Sequence, residues 1–82
     1  MSDFKNASTA THALHSRLQL IRGKLYCRKG FTIQEFVDAN REFFMAATNS
    51  IIHQHQIDVL ESNWRTAAQM FLYSVNDAPG GL

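Results

Sequence analysis

Eighty-two residues make one domain and exclude more, and a chain this short buries only about 60–65% of the surface its unfolded form exposes. Hydrophobic residues reach 45% and aromatic ones 11%, against 18% charged where roughly 25% is usual, so a second copy or a partner is expected to complete the core. A single cysteine, Cys27, excludes an internal disulfide and fits a reducing, cytoplasmic setting, and the longest apolar run, Phe43 to Ala47, excludes a membrane span.

In chain order, residues 1–8 are polar, lack the apolar run of a signal peptide and read as a flexible arm. A first helix is predicted from Thr9 to Lys29. Leu14, Leu18, Ile21 and Leu25 recur at i, i+4, i+7 and i+11, which places them on one stripe. Gly30 follows as the residue able to take a left-handed backbone, with Phe31 folding back on the last turn. The next six residues, Phe31 to Phe36, combine two devices. Thr32 and Glu35 have capping-box spacing, and Phe31 and Phe36 occupy hydrophobic-staple positions.

The second helix turns Ile33, Phe36, Val37, Phe43, Phe44, Ala47 and Ile51 to one face, with Gln34, Asp38, Arg41, Glu42 and Asn49 opposite. After Ile51 the period slips. A new stripe begins with Ile57, Leu60, Trp64, Ala67 or Ala68, Phe71 and Val75. A break is therefore predicted near His53–Gln56, with Asp58 or Glu61 capping a third helix that ends at Asn76. Residues 9–75 form the domain and 76–82 read as a disordered tail. The fold class is all-α, a small three-helix bundle made of a hairpin plus a third helix, completed by dimerisation, with one long bent second helix as the variant.

Each helix keeps apolar residues outside its main stripe. On the first they are Ala13, Leu20 and Cys27, seven apart and flanked by small Ser16 and Gly23. On the second they are Met45 and Ile52, and on the third Val59, Met70 and Tyr73. Helices apolar on more than one side are usually buried on more than one side. Ala13, Leu20, Cys27, Val59, Met70 and Tyr73 are accordingly the expected partner or dimer interface.

Polar groups offer little chemistry. His12 and His15 face one way on a helix, but His53 and His55 point about 200° apart and do not suit chelation. Neither a metal nor a cofactor is expected. Asn40 falls inside the apolar face of the second helix, where it either fixes register or oligomer state or is satisfied by a backbone carbonyl. No glycine-rich phosphate loop, HExxH or nucleophile elbow is present, so an enzyme is not expected.

Charge is unevenly spread. Lys5, Arg17, Arg22, Lys24, Arg28 and Lys29 stand against Asp3 in the first thirty residues, a balance of +5, and the remainder carries −4. An internal match with the acidic helices, or a dipolar one with Arg28 and Lys29 in the last turn of the first helix, is the expectation ahead of a nucleic-acid grip. The function anticipated is a non-catalytic helical module that binds another protein, as an adaptor, chaperone-like protein or inhibitor. The alternative is a small nucleic-acid-binding regulatory protein that uses Arg17, Arg22, Lys24, Arg28 and Lys29 of the first helix.

Overall fold

The leucine stripe and the helix that carries it end at different places. The computed structural model describes the backbone of residues 2–77 and the side chains of residues 9–74. Helix α1 spans Ser2–Leu20, so it takes in the stretch expected as an arm and stops at Leu20 instead of Lys29. Gly23 in a helix costs about 1 kcal/mol relative to Ala. The chain tightens there: the Lys24 N–H donates to the Ile21 carbonyl at 2.8 Å and the Leu25 N–H to the Arg22 carbonyl at 3.3 Å. These i to i+3 bonds are the tighter pattern common at helix ends. Leu25 nonetheless reaches the core and Ile21 packs against it, so the periodicity finds the buried residues through a different backbone.

The connection from Ile21 to Thr32 closes with a turn. The Phe31 N–H donates to the Arg28 carbonyl at 3.2 Å, with Gly30 at φ +89°. A left-handed residue at the third position is the type II arrangement that favours glycine. Thr32 then caps α2, Ile33–Ala39, with both halves of the capping box present. The Glu35 N–H donates to the Thr32 hydroxyl at 3.1 Å, and the Thr32 N–H to the Glu35 carboxylate at 2.9 Å.

The second predicted helix is two. Asn40, at φ −117° and ψ 25°, leaves the helical region, and α3 resumes as Arg41–His55. Gln56, in the left-handed region at φ 55°, ends α3, and residues 56–60 lead to α4, Glu61–Asp77. The break after Ile51 is thus present. Its capping device is neither Asp58 nor Glu61. The Asn63 side chain accepts from the Leu60 N–H at 2.8 Å, as an N3 residue reaches back to a cap. Residues 78–82, most of the expected tail, lie outside the described residues, and Asn76 and Asp77 belong to α4.

Four helices among the described residues replace the expected three. Helix α1 packs on α4 and α3, and α4 also packs on α2. Four rings line the centre. Phe71 stacks on Phe36 at 5.4 Å, Phe36 meets Phe44 edge-on at 6.0 Å, and Phe44 stacks on Trp64 at 5.2 Å. Offset and edge-on pairs of this kind contribute about 0.5–1.5 kcal/mol each beyond area burial. The Trp64 indole N–H donates to the Thr48 hydroxyl at 2.8 Å, so the ring is buried without an orphan donor. Leu60, placed by periodicity in the core, is 62% exposed, because the segment that carries it is not helical.

Candidate interaction surfaces

Along their outer sides α1 and α3 leave an open cleft of about 430 Å³. Residues Thr9, His12, Ala13, Ser16, Arg17 and Leu20 line it from α1, at spacings of three and four that define one helix face. Ala47, Ser50, Ile51, Gln54 and His55 line it from α3 by the same rule. Its floor is apolar: Ala47 and Ile51 are buried and Ala13 half-buried. The rim is polar, with His12, Ser16, Arg17, Gln54 and His55 exposed, and among the described residues no carboxylate lines it. Leu20 is 78% exposed at the last residue of α1.

The cleft unites one histidine from each of the two sequence pairs, His12 and His55. His15 instead accepts from the Gln19 amide at 3.3 Å. Among the described residues no three of His, Cys, Asp and Glu gather as metal ligands, and no helix is long and apolar enough to cross a membrane.

The six expected interface residues do not form one surface. Ala13 and Leu20 share the cleft. Cys27 lies on the α1–α2 connection, so its seven-residue spacing from Leu20 places it on no common helix face. It packs against the core, and burial pushes its thiol pKa up, with Arg22 pulling it part of the way back. Val59 lies on the α3–α4 connection and also packs inward. Met70 is half-buried on α4, and Tyr73 is 63% exposed on the same helix. Sequence reasoning missed the α3 side of the cleft. Ser50, Gln54 and His55 carried no apolar signal, and only the pairing of α3 with α1 reveals them.

The basic residues also stand elsewhere than on one helix. Arg17 lies in the last turn of α1, but Arg22, Lys24, Arg28 and Lys29 all belong to the connection to α2. All five are exposed, and among the described residues none forms an ion pair. The expected match is thus mostly unmade: Arg17 meets the C-terminal end of α1, and Arg28 contributes to lowering the Glu35 carboxyl pKa without closing an ion pair. The acidic half answers its own cations instead. Arg41 meets Asp38 at 3.0 Å and Glu61 at 3.9 Å, and Arg65 meets Glu61 at 3.9 Å. The Arg41 and Gln34 side chains hold the Asp38 carboxyl below its ordinary pKa.

The connection is nonetheless held firmly. Asn40, 1% exposed, accepts from the Tyr26 N–H at 2.7 Å, and its amide donates to the Tyr26 carbonyl at 2.8 Å and to the Phe36 carbonyl at 2.9 Å. Tyr26 itself is 64% exposed, with its ring tilted against that of Phe31 at a centroid distance of 6.1 Å. The Arg28 guanidinium lies over the Phe31 ring at 5.3 Å. Comparison with known proteins brought no match: no family model fits the chain, and no curated protein or solved structure shows significant similarity to it.

Proposed function

We propose that the protein is a non-catalytic helical interaction module, an adaptor, chaperone-like or inhibitor protein that binds a segment of another protein and self-associates as a two-fold dimer. The observation that carries the reading is the α1–α3 cleft. Two helix faces run side by side over a buried floor of Ala47 and Ile51, with Leu20 left largely in water at one end. This is the shape of helix-in-groove recognition, in which an amphipathic helix lays its apolar side between two others. Arg17 on the rim, with no carboxylate among the described lining residues, favours an acidic flank on that helix.

Ser16→Arg tests the reading, because Ser16 is exposed and lines the cleft. The variant should keep the wild-type circular dichroism spectrum and lose a protein that wild type retains on a column. Equal retention of the same proteins by both forms would remove the cleft as the binding site.

A further inference from the structure

The basic α1–α2 connection answers to a different ligand from the cleft. Between Leu20 and Ile33 the sequence holds four cations and no carboxylate. Like charges gathered on one short segment repel, and among the described residues the relief is slight: no ion pair forms, and only Arg28 has a partner, the Phe31 ring and the more distant Glu35 carboxylate. The segment is built into place all the same. Leu25 is buried, Cys27 is packed inward, and Asn40 holds both backbone groups of Tyr26. With those anchors inside, Tyr26 and Arg28 project outward from either side of Cys27. Tyr26, 64% exposed as a residue, is thereby kept on a fixed backbone, beside Phe31 and within a field of guanidinium and ammonium groups.

We propose that this connection binds single-stranded nucleic acid, with Arg22, Lys24, Arg28 and Lys29 against the phosphates and a base stacked on Tyr26. Cations that track a backbone beside an exposed ring are the physical elements of sequence-tolerant strand binding. A duplex fits less well. Its bases are stacked inside, and the patch sits on a connection that offers no helix for a major groove. A lipid surface fits less well too. Interfacial binding needs an apolar face to bury, and within the connection Leu25 is already buried and Ile21 and Cys27 are packed against the core.

The experiment is fluorescence anisotropy of the full chain with a labelled single strand of roughly twenty nucleotides and with the matching duplex. Salt is varied from about 50 to 200 mM. About four phosphate contacts predict a slope of log K against log salt near −3 for the single strand, and Arg28→Gln or Lys29→Gln should each reduce its magnitude by about 0.7. Tyr26→Ala should weaken binding about tenfold with the slope unchanged, and Tyr26→Phe should restore it. Circular dichroism of each variant separates loss of the surface from loss of the fold. Three results would overturn the proposal: no strand binding at the lowest salt, equal affinity for strand and duplex with Tyr26→Ala silent, or capture by phosphatidylserine vesicles at a salt that abolishes strand binding. None depends on the α1–α3 cleft, which Ser16→Arg tests separately.

Discussion

A buried side-chain amide is costly until each of its groups finds a partner. Asn40 finds backbone partners in two places, the Tyr26 peptide groups fourteen residues earlier and the Phe36 carbonyl one turn back. Its own N–H is shared between the Phe36 and Val37 carbonyls, which marks the point where α2 yields to α3. Asn40→Ala should therefore destabilise the protein by about 2–3 kcal/mol, since it removes three bonds, one of them buried and two part-buried. Urea denaturation followed by the fluorescence of Trp64 is the measurement, and a loss under about 1 kcal/mol would mean that water replaces the amide. The sequence showed Asn40 within an apolar face and left two roles open. Its partner was not legible, because no local pattern links position 40 to position 26. Glu35 is the opposite case, since Thr32-x-x-Glu35 is readable as it stands. The Thr32 N–H, followed by the Thr32 side chain and to a smaller extent the Arg28 charge, holds the Glu35 carboxyl below its ordinary pKa of 4.5. A lowered folded-state pKa contributes stability above the unfolded-state value, and that contribution is lost as pH falls through the folded one. The denaturation midpoint of wild type should thus fall further on acidification below pH 4.5 than that of Glu35→Gln. Equal falls would show the capping carboxylate to be energetically silent.

At the scale of elements, the buried stripes were more legible than the backbone that carries them. Leu14, Leu18 and Leu25 are all core residues, yet only the first two are helical. Periodicity records which residues meet the interior. It does not record that Gly23 and the demand of Asn40 for backbone groups end the helix in between. The α3–α4 break was legible because the apolar stripe changes face after Ile51. Its end signal was not, because the left-handed position is filled by Gln56 in place of the more usual glycine or asparagine. That departure carries a prediction. The Gln56 N–H donates to the Ile52 carbonyl at 2.8 Å, so the geometry is that of a working C-terminal cap with a side chain that disfavours it. Gln56→Gly should raise stability by about 0.5–1 kcal/mol, the left-handed strain relieved outweighing the added freedom of the unfolded chain. Thermal denaturation will measure it, and a lower midpoint would mean that unfolded-state entropy dominates.

For the whole molecule, the aromatic load that led us to expect a second copy is largely absorbed by one chain. Phe36, Phe44, Trp64 and Phe71 are buried, and Phe31 and Phe43 are half-buried against them. The case for self-association therefore narrows to a few exposed apolar side chains, with Leu20 at 78% and Tyr73 at 63% the largest candidates on α1 and α4. Burying a leucine contributes about 1.5–3 kcal/mol. A two-fold axis through the Leu20 end of the cleft would count that gain twice, since each copy presents the same patch to the other. Loss of both contacts corresponds to a weakening of roughly a hundredfold or more in dimer affinity. Leu20→Asp should then convert a dimer to a monomer at micromolar concentration without changing helicity, because Leu20 lies outside the core. Light scattering on a sizing column over a range of concentrations distinguishes the outcomes. A wild-type chain that is monomeric throughout defeats self-association and leaves the cleft to an unrelated protein. A dimer that survives Leu20→Asp moves the axis to α4, where Tyr73→Asp must then break it.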